Sequence, residues 1–153
     1  MIAKEFEQFL LEQEETFLTP AENLAVLIDT HNADQATLLL SQMTYTRVPV
    51  VTAEKKFVGT IGLRDIFAYQ MEQGLSQEVM ADMDIVHMTK KDVAVVNPDY
   101  TLTDVLHKLV DESFLPVVGK DGLFQGIITR KSILKAVNAL LHDFSKEYEI
   151  RSK

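Results

Sequence analysis

Apolar residues return along this chain with two different periods. Ile2, Phe6, Phe9 and Leu10 recur at helical spacing, with Glu5, Glu7, Glu12 and Glu14 mostly on other faces, which predicts an amphipathic N-terminal helix within residues 1–17. Leu18-Thr19-Pro20 ends that helix or starts a new segment, because proline cannot continue a helix. Residues 24–28 form a short apolar run that reads as a strand, and residues 34–43 read as a helix with Ala36, Leu39, Leu40 and Met43 inward. Val48-Pro49-Val50-Val51 and Phe57-Val58-Gly59-Thr60-Ile61 are β-type runs on either side of a polar turn, which predicts a hairpin. A helix follows from Leu63 to Gln73, with Gly74 as its stop. Residues 76–83 read as a short helical link.

The pattern then repeats. Residues 93–96 match the strand at 24–28, and Thr101 caps a helix to about Asp111, with Asp104 three positions on as its capping-box partner. Leu115-Pro116-Val117-Val118 and residues 123–128 flank Gly119-Lys120-Asp121-Gly122, a second hairpin. Ile133, Leu134, Val137, Leu140, Leu141 and Phe144 mark a long amphipathic helix, and the charged tail from Lys146 is expected to fray. Pro49 and Pro116 stand 67 positions apart. The same offset, without a gap, pairs Val50 with Val117, Phe57 with Phe124, Gly59 with Gly126, Ile61 with Ile128 and Ile66 with Ile133. Each half reads strand, helix, strand, strand, helix. Two copies that each expose an apolar sheet face bury those faces against each other.

The repeated pattern of h-P-V-V, turn, F-x-G-h-h, helix resembles the cystathionine-β-synthase (CBS) motif, and two copies resemble a CBS pair, or Bateman module. The resemblance runs from about Leu18 to Leu141. It implies a mixed α+β fold of two β-α-β-β-α repeats related by a pseudo-two-fold, divided as N-terminal helix 1–17, first CBS domain 18–75 and second CBS domain 76–145. Length and stand-alone arrangement further resemble the small cyclic-di-AMP-binding CBS proteins of Gram-positive bacteria, the CbpB/DarB type.

Composition narrows the chemistry. The chain has 153 residues, 46% hydrophobic and 25% charged, as expected for one compact globular unit. There is no cysteine, which excludes disulfides, thiolate catalysis and cysteine-ligated metals. The N-terminal stretch is too acidic for a signal peptide and no apolar run approaches a membrane span, so a cytoplasmic protein with no membrane partner is expected. The formal net charge of −8 argues against nucleic-acid binding. His31, His87, His107 and His142 show no metal-ligand spacing, and Asp82 and Asp84 read as part of a connector. No nucleophile–base or P-loop motif occurs, so neither an enzyme nor a resident cofactor or metal is expected.

In CBS pairs that bind adenine nucleotides, each motif ends G-h-h-[ST]-x-x-D, and the resemblance implies a hydroxyl on ribose or phosphate and a carboxylate on the ribose diol. The first copy here, Gly59-Thr60-Ile61-Gly62-Leu63-Arg64-Asp65, keeps the carboxylate and lacks the hydroxyl. The second, Gly126-Ile127-Ile128-Thr129-Arg130-Lys131-Ser132, keeps the hydroxyl, lacks the carboxylate and has two cations. A cyclic dinucleotide has no free cis-diol, because its 3′ oxygens are esterified, so a carboxylate there would face phosphodiester charge without donors to accept. Two cations at a helix start oppose the helix dipole by about 0.3–1 kcal/mol each, which favours a nearby anion. The resemblance implies cyclic-di-AMP contacts at Ala25, Tyr45, Thr46, Arg47, Ile127, Thr129, Arg130 and Lys131, with Gly62 and Asp65 as a second nucleotide site. The competing reading makes Thr129 a plain N-cap, Arg130 and Lys131 a solvated first turn, and Asp65 a dipole partner. Two other functions stay open: an AMP, ADP or ATP sensor using Asp65, and a structural dimerisation module with a vestigial cleft. The resemblance implies a homodimer and a partner enzyme, either a ppGpp synthetase/hydrolase or pyruvate carboxylase, switched by the ligand.

Overall fold

The computed structural model describes residues 2–13 and 17–153, so part of the helical segment expected over 1–17 lies outside the described residues. In chain order the elements are α1 (Lys4–Leu11), β1 (Leu18–Pro20), β2 (Leu27–Ile28), α2 (Ala33–Gln42), β3 (Val48–Val51), β4 (Phe57–Ile61), α3 (Leu63–Gln73), α4 (Gln77–Ala81), α5 (Leu102–Asp111), β5 (Phe114–Val118), β6 (Phe124–Thr129) and α6 (Arg130–Glu147). Contacts gather the chain into two units. A first-half unit holds Asn23–Val93 with Val118–Phe124, and a second-half unit holds Met1–Glu22, Ala94–Val117 and Gln125–Lys153.

In the first-half unit the sheet order is β2-β3-β4, with β2 parallel and β4 antiparallel to β3. The β-branched β3 is buried along its whole length, as the central strand of a covered sheet should be. Ala36 and Leu40 of α2 and Ile66 of α3 pack against Val48, Val50 and Ile61, with Met80, Ile85 and Met88 completing the core. Asn32 caps α2 reciprocally with Gln35, and Gly74 ends α3 in the left-handed conformation.

In the second-half unit the order is β1-β6-β5. Leu102, Val105 and Leu109 of α5 and Ile133 and Ala136 of α6 close over Leu115, Val117 and Ile128, joined by Leu10, Phe17 and Val96. Phe6 of α1 meets Phe144 of α6 edge-on with ring centroids 4.9 Å apart, and Phe144 stacks on Tyr148 at 4.5 Å. Thr101 does cap α5, accepting from the Asp104 N–H at 3.2 Å, but the Asp104 carboxylate reaches forward to Lys108 at 3.0 Å.

The strands expected at 24–28 and 93–96 are shorter than their apolar runs. Only Leu27–Ile28 joins β3, and of the other run only Val96 bridges to Val117. Pro49 and Pro116 explain the shortening, because a residue without an N–H cannot extend a parallel ladder past that point.

Leu18–Pro20, expected to end the first helix or to start a new segment, starts one: it is a strand of the second-half sheet. Leu18 faces Ile128, Thr19 faces Ile127 and Pro20 faces Gly126. The first-half unit has a counterpart, where Lys90 exchanges both backbone hydrogen bonds with Thr60 at 2.9 Å. Both approaches need glycine. A Cβ at Gly126 would lie 2.2 Å from the Thr19 carbonyl oxygen, and one at Gly59 would lie 2.1 Å from that of Lys90.

Within the first-half unit the two hairpin tips also pair. The Phe57 N–H donates to Gly122 O and the Phe124 N–H to Lys55 O, each at 2.9 Å, and the two rings stack at 5.9 Å. Partners on the two sides are equivalent positions of the repeat, so the contact has a local two-fold. Lys55 and Gly122 share positive φ, 68° and 82°.

Gly74 and Gly126 both have positive φ, but nothing lies within 4 Å of a Cβ at Gly74. Gly74→Ala should therefore lose about 1 kcal/mol of stability, the left-handed backbone cost alone. Gly126→Ala should lose about 3 kcal/mol or more, because the β1–β6 pairing must open. Urea unfolding of the two variants checks this, and equal losses would contradict it.

Candidate functional site

The two helix starts that follow the hairpins are built differently. At α6, Thr129 has extended backbone and its Oγ1 accepts the Ser132 N–H at 3.0 Å, a standard N-cap. Ser132 stands where the family motif has a carboxylate. Its hydroxyl lies 2.9 Å from Thr129 O and 3.1 Å from Phe17 O. A carboxylate there would present only acceptors to two carbonyl oxygens, so serine has a local reason as well as any reason of ligand chemistry.

Arg130 does not simply point at an anion. Its N–H donates to Ser113 O at 2.9 Å, its Nε to Leu109 O at 2.9 Å and its Nη2 to Val110 O at 3.2 Å. The two carbonyls met by the guanidinium, Leu109 O and Val110 O, belong to the last turn of α5, where a cation is favoured by the dipole and fills orphan acceptors. The mismatch at the start of α6 is thus offset at the end of α5, and the expectation that both cations call for an anion loses half its support. Lys131 is different. It is exposed and, among the described residues, its side chain makes no hydrogen bond or ion pair. Ile127 is buried in β6 opposite Thr19.

At α3 the N-cap is Gly62, whose N–H donates to Asp65 Oδ2 at 2.8 Å. The same oxygen pairs with Arg47 Nη1 at 2.9 Å, and the two side chains are only 28% and 22% exposed. Arg47 is further held by Thr60, through Nε to Oγ1 at 3.0 Å and Nη2 to the carbonyl at 3.1 Å. Both residues expected to meet nucleotide here are therefore engaged with each other. Ala25 is half-buried ahead of β2, while Tyr45 and Thr46 are exposed just before β3. Ala25, Tyr45, Thr46, Arg47, Gly62 and Asp65 lie in the first-half unit, and Ile127, Thr129, Arg130 and Lys131 in the second-half unit.

Sequence reasoning missed one feature. The second-half unit contains a cavity of about 620 Å³ whose walls include Leu18, Pro20, Tyr100, Val117 and Gln125. That volume lies in the range of small-molecule pockets. None of the expected ligand residues lines it. The strand that walls it, β1, was legible only through Gly126, an isolated glycine inside a strand pattern that signals close backbone approach. Among the described residues no cluster of three or more His, Asp or Glu side chains could hold a metal, and no helix is long and apolar enough to cross a membrane.

The sequence pattern of the CBS domain matches residues 20–72 and 82–139, and the chain belongs to the CBS-domain family. Its mixed α+β architecture is that of a tandem CBS pair. Among solved structures it is similar to a CBS domain protein from Streptococcus pneumoniae TIGR4, at 87% identity over 99% of both chains with a TM-score of 0.88. It is also similar to a CbpB protein in complex with c-di-AMP, at 53% identity over 95% of this chain and 97% of that one, TM-score 0.87. Among curated relatives it is similar to Cyclic di-AMP receptor B of Bacillus subtilis strain 168, 22% identical over 148 residues, 95% of this chain and 100% of that protein. The chain spans 61% of another curated relative, the chloroplastic CBSX2 protein of Arabidopsis thaliana, at 28% identity over 145 residues.

The two cations at α6 should separate in a stability assay without ligand. Arg130→Ala should cost about 1–2 kcal/mol through the uncapped end of α5. Lys131→Ala should stay within about 0.5 kcal/mol. Equal effects in urea unfolding would contradict the division of roles.

Proposed function

We propose that this chain is a cyclic-di-AMP-binding regulatory protein that does no chemistry of its own. The observation that carries the reading is Lys131, an unengaged cation in the first turn of α6, beside the N-cap Thr129 and with no carboxylate at position 132. A cyclic dinucleotide brings two phosphodiester charges and free 2′-hydroxyls but no cis-diol. A mobile ammonium and a threonine hydroxyl suit it, and a missing carboxylate removes repulsion. Support comes from the CbpB protein that is 53% identical and crystallised with c-di-AMP. Ligand binding would then bias the chain's affinity for a partner enzyme, the two linked by a reciprocal coupling free energy. The AMP-sensor reading depends on Asp65, whose carboxylate is already paired with Arg47.

Calorimetry tests this. Cyclic-di-AMP should bind the wild-type chain, AMP should bind at least tenfold more weakly, and Lys131→Ala should weaken cyclic-di-AMP about tenfold, or about 1.4 kcal/mol. Tighter AMP than cyclic-di-AMP binding, or an unaffected Lys131→Ala, would overturn the reading. If no nucleotide raises stability by the roughly 2.7 kcal/mol expected at a hundredfold excess over its dissociation constant, the chain is a structural module instead.

The proposal includes a homodimer. Phe67 and Met71, one turn apart on α3, are 54% and 82% exposed, and Leu134 and Leu141, two turns apart on α6, are 59% and 75% exposed. Apolar side chains aligned in this way on helix faces suit association. Light scattering should give a dimer for the wild type and half that mass for Met71→Glu combined with Leu141→Glu; an unchanged mass would place the contact elsewhere.

A further inference from the structure

The internal repeat raises a question about stoichiometry. If Thr129 and Lys131 open a nucleotide site in the second copy, the equivalent positions Gly62 and Arg64, followed by Asp65, should open another in the first. We propose that Arg47 plugs this first-copy site from within, and that removing its side chain uncovers a site for nucleosides with a free 2′,3′-diol. The inference rests on the reading of the second copy given above.

Two observations converge on Arg47. Its guanidinium neutralises Asp65 at 2.9 Å, on the oxygen that also accepts the Gly62 N–H. It is anchored by two further hydrogen bonds to Thr60, which is itself buried, so it is not a surface side chain that happens to lie nearby. A side chain at position 62 is excluded separately, by the Thr46 backbone. A Cβ built on Gly62 would lie 3.5 Å from Arg47 Cγ and 3.6 Å from Nη1, and 2.5 Å from the Thr46 carbonyl oxygen. The Thr46 carbonyl therefore requires glycine at position 62, while Arg47 Cγ and Nη1 stand at ordinary contact distance from that point.

The second copy lacks this plug. The position equivalent to Arg47 is Phe114, and the position equivalent to Gly62 is Thr129, whose hydroxyl is present. Arg64 and Lys131 are exposed at equivalent positions and do not distinguish the copies; what does is that the first has a carboxylate closed by an internal cation and the second has neither. The chain should therefore bind one cyclic dinucleotide and refuse nucleotides that need a carboxylate to hold their diol. With Arg47 gone, the Asp65 carboxylate has an oxygen free to accept the two hydroxyls of a ribose.

Titration calorimetry with AMP as probe tests the plug, after a thermal melt has established that each variant is folded. Wild type should show no AMP binding that depends on Asp65. Arg47→Met should bind AMP at least tenfold more tightly, and the gain should vanish in Arg47→Met combined with Asp65→Asn. Arg47→Gln, which keeps a donor for Thr60 but drops the charge, gives the same readout should the methionine variant not fold. Wild-type AMP binding that Asp65→Asn abolishes, or a folded Arg47→Met or Arg47→Gln that gains none, would overturn the plug. Failure of the parent reading looks different, as a wild-type chain that binds no cyclic-di-AMP, and the AMP measurements still decide the role of Arg47 in that event.

Discussion

The second strand of each hairpin is approached by a backbone segment from elsewhere in the chain at a distance that leaves no room for a side chain. β6 takes β1 across Gly126, and β4 takes Lys90 across Gly59. This contact decides how the chain is partitioned. Residues that precede one repeat are drawn into the sheet of the other half, and for that reason the units interleave along the sequence. The positioning of Thr129 and Gly62 follows, because each N-cap stands at the end of a strand whose register is pinned on both edges.

With those two positions fixed, the copies have diverged in the electrostatics of the helix start. In the first, an arginine supplied by the residue before β3 meets the helix's own carboxylate, and both are satisfied internally. In the second, the arginine belongs to the helix and is turned back onto the carbonyls of α5, which leaves a lysine as the unengaged charge. An Arg fork can bridge several acceptors in fixed geometry, whereas an ammonium on a flexible stem adapts to a ligand. Each copy uses an arginine for structure, and each also carries an exposed cation in the first turn of its helix, Arg64 or Lys131, but only the second does so without a carboxylate beside it.

Much of the architecture was legible from pattern alone. The boundaries of α3 follow from its apolar period and Gly74, and the offset that pairs Pro49 with Pro116 identified the repeat. What escaped was long-range: Leu18–Pro20 looks like a helix terminator because its strand partner lies more than a hundred residues away. At the site, the sequence offered Thr129 as a ligand contact or an N-cap, and the cap is present, but it did not reveal what Arg130 and Ser132 touch within the chain. Their partners, Leu109 O, Val110 O and Phe17 O, are backbone groups that no residue letter reveals. The pairing of Arg47 with Asp65 was hidden for a related reason, since adjacency of a pre-strand residue and a helix N3 position depends on hairpin register.

The hairpin tips carry one more consequence. Their contact swaps two donors for two acceptors between equivalent positions, so the edge is complementary to itself. An edge of that kind has no means of telling a partner in its own chain from the same edge in a neighbouring molecule. What keeps the pairing internal is the tether of 67 residues between equivalent positions, which holds one tip near the other at high effective concentration. At protein concentrations approaching that value, exchange of tips between chains becomes an available route to larger assemblies.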